Sequence, residues 1–154
     1  MREHDALRQL PRTDMASIHR DIVIAAPARQ VWAAMEDVGA LHTRLVPGFV
    51  TACRLEGETR HLVFANGAEA SERIVSVDAE RMRVAWTATS HRLEHHNASA
   101  QVIALDDASC RVVWIADLLP HALAPAIAGM IEAALAAMQR AAAARTTMET
   151  SSGA

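Results

Sequence analysis

The residues of this chain best suited to chemistry are an arginine, a carboxylate and a group of histidines. Arg60 and Glu72 flank Asn66-Gly67, a dipeptide that signals a β-hairpin because both residues tolerate positive φ. A carboxylate turned toward an apolar space has a raised pKa and can serve as acid or base. Register decides whether Arg60 reaches it. A two-residue turn at Asn66-Gly67 sets Glu72 opposite His61 and Arg60 opposite Arg73, which puts Arg60 and Glu72 on opposite faces. A three-residue loop with a bulge brings them to one face. At the surface the same two side chains would form an ion pair of about 0.2–1 kcal/mol.

His91, His95 and His96 form the histidine group. On a helix His91 and His95 share a face at zinc-binding spacing. On a strand they stand roughly 13 Å apart, and His95 and His96 point to opposite sides. No cysteine or carboxylate completes a set at standard spacing, so no metal is expected. His96, Ala98, Ala100 and Val102 alternate onto one face, and its apolar members mark that face as inward. His96 is then either a satisfied structural histidine or an inward polar group that orients a ligand carbonyl or moves a proton. Glu72 and His96 are the catalytic candidates.

Several chemistries are excluded or unsupported. All 15 basic residues are arginine and there is no tyrosine, which removes a lysine Schiff base and a tyrosine acid. A net charge of −3 and a pI near 6.2 give no footprint for nucleic acid. Cys53 and Cys110 have neither metal nor redox spacing and read as buried thiols. A serine-hydrolase elbow, a phosphate-binding loop and a dinucleotide fingerprint are absent. No cofactor is expected.

These groups must be positioned by the surrounding elements. Residues 120–145 read as one long helix. Leu123, Ile127, Met130, Ile131, Ala134, Leu135 and Met138 recur at three- and four-residue steps, and alanine fills the gaps. Pro120 and Pro125 place its start between Ala122 and Pro125. At about twenty residues it is roughly 30 Å long and needs an apolar surface to lie on. Ser17–Ala25 alternates as a strand. Ala26-Pro27 opens a helix that presents Val31, Trp32, Met35 and Val38 and stops at Gly39, and Ala40–Val46 reads as a second short helix. From Phe49 onward the period is two: Phe49–Leu55, Thr59–Ala65, Ala68–Val77, Met82–Thr89, Glu94–Leu105 and Cys110–Leu118 are strands joined by short polar turns, hence antiparallel neighbours.

The expected fold is α+β: a curved antiparallel sheet of about seven strands around a long C-terminal helix, with two short helices between strands 1 and 2. Residues 1–16 read as a flexible arm, 17–145 as one domain and 146–154 as a disordered tail. The start has no signal-peptide core and no apolar run approaches a charge-free membrane span, so a cytoplasmic protein with no membrane span is expected. Small side chains facing a strongly curved sheet suggest a cavity; the alternative is that the curvature tightens and closes it. Phenylalanine and tryptophan total five (2 and 3).

The order of these pieces resembles the START-like, Bet v 1-like helix-grip superfamily, in its polyketide cyclase/dehydrase (SRPBCC-type) branch. Ile22-Val23-Ile24-Ala25-Ala26-Pro27 with Val31-Trp32 resembles that family's opening strand and helix. Gly57-Glu58-Thr59-Arg60, Gly67 and Glu72-Arg73-Ile74 resemble its G-x-x-R … G … E-R-hydrophobic hairpin. His91-Arg92-Leu93 is similar to the latch tripeptide of the plant abscisic acid receptors, although no pocket lysine stands near Thr51.

The resemblance implies a hydrophobic pocket between sheet and terminal helix, with Glu72 tending to face it. Expected wall and ligand-binding residues are Phe49, Thr51, Arg60, Leu62, Phe64, Trp86, His91, Arg92, Ile131, Leu135 and Gln139. Spacing alone puts Gln139 at the rim, about 20° from Glu132; the resemblance turns it inward. Binding of a small hydrophobic molecule (lipid, polyketide or aromatic) is the first reading. A cyclase/aromatase- or dehydratase-like enzyme with Glu72 or His96 as proton shuttle is the second. The third is an interaction module whose groove takes a partner helix or a second copy, as a homodimer.

Overall fold

The computed structural model describes residues 16–153. Seven antiparallel strands form one sheet: β1 (Ser17–Ile24), β2 (Val50–Glu56), β3 (Thr59–Phe64), β4 (Glu69–Asp78), β5 (Arg83–Thr89), β6 (His95–Asp106) and β7 (Ser109–Leu119). Their spatial order is β1-β7-β6-β5-β4-β3-β2. Helix α1 (Ala28–Glu36) and a π-helical turn (Leu41–Leu45) lie between β1 and β2. A 3₁₀ turn (His121–Leu123) leads into α2 (Ala124–Ser152), the long helix that the sheet grips. This is the expected helix-grip architecture, with strand ends within a residue or so of the alternation pattern.

Local chemistry explains the junctions. Pro27 is extended (φ −57°, ψ 141°) and stands one residue outside α1. Its carbonyl accepts from the Gln30 and Val31 amides, so the residue that cannot donate still caps the helix. Helix α1 buries Val31, Trp32 and Met35 and ends at Glu36, short of Gly39. The Asp37 carboxylate accepts from Arg44 at 2.9 Å, which fastens the π-helical turn below it. Leu41 and Leu45 of that turn are buried.

The β3–β4 hairpin settles the register. Phe64 and Ala68 are joined by an amide-to-carbonyl bond of 2.8 Å, which leaves Ala65, Asn66 and Gly67 as a three-residue loop. Only Gly67 takes positive φ, +84°, and the Asn66 side chain accepts from the Ala68 amide. Arg60 therefore pairs with Glu72 and His61 with Ser71. The two-residue alternative is overturned, because Asn66 does not adopt the left-handed conformation such a turn requires. Register shifts interrupt β2 between Val50 and Ala52, β4 between Ile74 and Ser76, and β6 between Ala104 and Asp106. Bulges of this kind bend strands and increase twist, consistent with a sheet that curls around α2.

Helix α2 corrects one expectation. It does not stop at Arg145 but continues to Ser152, so residues 146–152 are helical rather than a disordered tail. Their polarity suggested an end, but no glycine or proline breaks the chain before Gly153. The Thr146 and Thr147 hydroxyls donate to the carbonyls of Ala142 and Ala143, and the Arg145 guanidinium donates to the Arg44 carbonyl at the π-helical turn. The segment His121–Glu149 is long and apolar enough to cross a membrane by length and composition, although Glu132 and Arg140 interrupt it. Here it lies on the sheet, with Ile131, Ala134, Leu135, Ala137, Met138 and Ala142 buried. Glu132 and Gln139 tie it to edge strand β1 through Arg20 and the Val23 carbonyl, each at 2.9 Å. The proposed flexible arm lies outside the described residues except for Ala16, which is buried.

Candidate functional site

The concave face of the sheet and α2 border a partly open cavity of about 210 Å³. Alternation supplies its sheet wall: Arg60, Leu62 and Phe64 from β3, Ala70 and Glu72 from β4, Val84, Trp86 and Ala88 from β5, His96 and Ala100 from β6, and Trp114 from β7. Helix α2 contributes Ile127, Met130, Ile131, Ala134 and Met138, at steps of three and four. Phe49, Val46 and Leu45 come from the segment before β2, and Leu93 from the β5–β6 loop. Phe49 and Phe64 meet edge to face at 5.5 Å, and Trp86 and Trp114 at 5.2 Å, a geometry favoured by their quadrupoles.

One patch of this apolar wall is polar. Arg60 Nε donates to Glu72 Oε1 at 2.8 Å, and the two side chains are only 5% and 13% exposed. The pair is therefore a buried one, not the surface ion pair considered above. The Arg60 guanidinium also lies 5.2 Å from the centre of the Trp86 ring, within cation–π range. The Val38 carbonyl, just beyond α1, accepts from Nη1 at 3.5 Å.

His96 extends the patch. Beyond Trp86↔Ala98 the β5–β6 ladder gives way to side-chain bonds: the Ala88 amide donates to His96 Nδ1 at 2.9 Å, and the Thr87 hydroxyl donates to the His96 carbonyl at 2.6 Å. Because Nδ1 accepts, the neutral ring carries its proton on Nε2. Burial holds the imidazole below its ordinary pKa; the Glu72 charge opposes that shift, and His95 adds slightly to it. His96 is thus a neutral donor in a wall that also carries a balanced charge pair.

Of the expected binding residues, Phe49, Arg60, Leu62, Phe64, Trp86 and Ile131 line the cavity, together with the catalytic candidates Glu72 and His96. The remaining expected residues stand elsewhere. Thr51 is exposed, and its hydroxyl donates to the Val63 carbonyl, because the irregularity between Val50 and Ala52 breaks the alternation from Phe49. Leu135 is buried in the core, outside the cavity wall. Gln139 reaches the Val23 carbonyl, at the rim where its spacing put it and not inward. His91 and Arg92 are exposed in the β5–β6 loop and do not line the cavity. The sequence reading missed Met130, Ala134 and Met138 as wall residues, although the helical stripe contained all three.

Other reactive groups lie apart. Cys110 is fully buried, and Cys53 is half-buried with its thiol directed at the Val38 carbonyl; burial pushes both thiols up. On the outer side of the sheet His61 bridges the Ser71 hydroxyl and the exposed Glu56 carboxylate at 2.9 and 3.2 Å. Among the described residues no group of three or more His, Cys, Asp or Glu side chains is placed to hold a metal ion.

The sequence matches the family model described as "Polyketide cyclase / dehydrase and lipid transport" over residues 15–147. No curated protein matches the chain. Among solved structures, a protein from Thermobifida fusca is 30% identical, with a TM-score of 0.69 over 85% of this chain and 93% of its own. XoxI from Bacillus cereus is 19% identical, with a TM-score of 0.75 over 83% of this chain and 96% of its own. Norcoclaurine synthase from Thalictrum flavum is 20% identical, with a TM-score of 0.65 over 80% of this chain and 91% of its own. That synthase has also been solved in complex with dopamine and hydroxybenzaldehyde.

Proposed function

The chain belongs to the polyketide cyclase/dehydrase and lipid transport family, and from that premise we propose that it binds a small hydrophobic molecule between the sheet and α2. The observation that carries this reading is the composition of one partly open cavity. Aromatic and aliphatic side chains line most of it, and its few polar groups are Arg60, Glu72 and His96, together with Glu69, Thr89 and Ser90. An apolar cavity with a small number of placed polar groups suits a ligand site. The apolar wall supplies affinity and the polar patch supplies orientation.

Ala134 tests the reading. It is 1% exposed on the helix wall of the cavity, so Ala134→Phe extends a ring into the space a ligand would fill. Uptake of the neutral probe N-phenyl-1-naphthylamine, followed by its fluorescence, should weaken by about tenfold or more while far-UV circular dichroism is unchanged. Ala100→Leu, on the facing sheet, provides a second obstruction if the phenylalanine disturbs folding. Undiminished uptake by a folded obstructed variant means that the probe binds elsewhere. Native mass spectrometry of the purified protein would identify a co-purifying ligand.

A catalytic reading has one observation in its favour: the Glu72 carboxylate lines the cavity beside His96. A bound polyketide chain held in a near-attack shape would meet both groups. Loss of turnover with retained binding in Glu72→Gln would support a cyclase- or dehydratase-like enzyme. Binding without turnover in the unmodified protein would leave a carrier.

A further inference from the structure

The polar patch allows the ligand class to be narrowed, an inference that rests on the binding reading above. We infer that the cavity selects an uncharged hydrophobic molecule bearing a hydrogen-bond acceptor, such as a ketone oxygen, and discriminates against carboxylates, with His96 Nε2–H as the selecting donor. Three observations converge on this.

The first is the locked imidazole. The Ala88 amide occupies Nδ1 at 2.9 Å, so the ring cannot accept at that nitrogen without losing a strand-to-strand bond. Nε2 must carry the proton, and it has no hydrogen-bond partner among the described residues, although the ring lines the cavity. A donor turned toward an apolar space is best satisfied by a ligand acceptor.

The second is charge balance. The charged side chains lining the cavity are Arg60, Glu69 and Glu72. Arg60 is already neutralised by Glu72 at 2.8 Å, and its guanidinium face is against Trp86. A ligand carboxylate would add a second anion to a site whose only lining cation is engaged, and it would be desolvated beside Glu72. A ligand ammonium would have to compete with Arg60 for buried Glu72 or settle for Glu69, which is exposed to solvent and so holds a cation weakly, and His96 presents a donor where an ammonium needs an acceptor.

The third is placement. His96 and Glu72 flank Ala88, since Glu72 pairs with Ala88 and the Ala88 amide binds His96. Donor and ion pair therefore share one patch of the wall, and a ligand acceptor meeting His96 has its polar end beside the pair and its apolar body free to lie against Trp86 and the helix.

Four probes of one shape provide the test: 2-acetylnaphthalene, 2-ethylnaphthalene, 2-naphthoate and 2-(aminomethyl)naphthalene, titrated by tryptophan quenching at pH 7.5. The ketone should bind about tenfold tighter than the ethyl compound, and naphthoate should be the weaker of the two by at least the same factor when compared with the ethyl compound. His96→Leu should abolish the preference for ketone over ethyl while retaining ethyl binding. Should that variant unfold, the carbonyl stretch of the ketone bound to the unmodified protein gives the same information: a shift to lower frequency than in hexane is expected, and an unshifted band overturns the inference. Equal binding of ketone and ethyl compound refutes the role of His96 but leaves the hydrophobic-ligand reading intact. Tightest binding by naphthoate or by the ammonium refutes the charge argument. Failure of all four to bind removes the binding reading itself.

Discussion

The Arg60–Glu72 pair is open to a quantitative test of whether the cavity wall is desolvated. Glu72→Leu leaves the Arg60 guanidinium, 5% exposed, without its anion. Removing one partner of a buried pair costs about 3–5 kcal/mol, because an uncompensated charge remains. Glu72→Gln keeps an oxygen to accept from Arg60 Nε and should fall at about 3 kcal/mol, the lower end of that range. Total stabilities of such domains are about 5–15 kcal/mol, so either loss is large. The double variant Arg60→Met/Glu72→Leu removes both charges and keeps an apolar stem beside Trp86, so it should come within about 2 kcal/mol of the parent. The single losses therefore should not add. Urea unfolding at pH 7 with linear extrapolation measures the parent, Arg60→Met, Glu72→Leu, Glu72→Gln and the double variant, provided their slopes agree. If Glu72→Leu cost less than about 1 kcal/mol, or the double variant lost the sum of its singles, the pair would behave as a solvated surface pair. The burial on which the site rests would then be wrong.

Two further predictions concern the register and the histidine. Gly67 sits at φ +84° with open space where a Cβ would project, so Gly67→Ala should cost about 1 kcal/mol through backbone strain alone, seen as a melting temperature lower by roughly 3 °C; a rise would contradict the left-handed loop and the pairing it sets. For His96, whose folded-state pKa is lowered from the ordinary 6.5, both folded and unfolded forms are neutral well above that value. As pH falls through it, the unfolded chain takes up a proton that the folded chain resists, so the stability contributed by His96 is present above the ordinary value and declines as pH falls toward the depressed folded value. Urea unfolding at pH 7.5 and 5.5 should show a larger acid loss for the parent than for His96→Gln, and equal losses would show that His96 is not desolvated.

Much of the fold was legible because it rests on periods. Alternation marks β1 to β7 closely, and the stripe of residues at three- and four-residue steps marks α2. What was not legible was decided by tertiary contacts and by single residues. Asn66-Gly67 suits two loop lengths; the longer one prevails where Gly67 alone takes the left-handed conformation and the Asn66 side chain holds the Ala68 amide. Thr51 has the parity of Phe49, but a β2 irregularity that no pattern announces turns it outward. Leu135 and Met138 both belong to the apolar face of α2, and only the sheet's curvature assigns one to the core and the other to the cavity. Gln139 shows the opposite case. Its spacing relative to Glu132 placed it at the rim, and the structure keeps it there against the implication of the resemblance.

The distribution of scarce residues argues that the cavity is more than a packing fault. The chain has 2 phenylalanines and 3 tryptophans, and all but Trp32 line this one space. A core built only for stability would use its largest side chains to fill volume. Here they surround a volume that alanines at 100 and 134 do not fill. The same wall carries a buried ion pair, although apolar residues of similar size are often neutral or stabilising at such positions. Unfilled volume lowers stability and so can a buried charge pair, and both occur on one wall, next to an imidazole that lines the same space. Local rules broken together in one place mark a functional site more often than a structural one. A ligand that supplies the missing apolar contacts and accepts from His96 would satisfy both departures at once, which is why the acceptor series and the charge-pair cycle probe the same hypothesis from opposite sides.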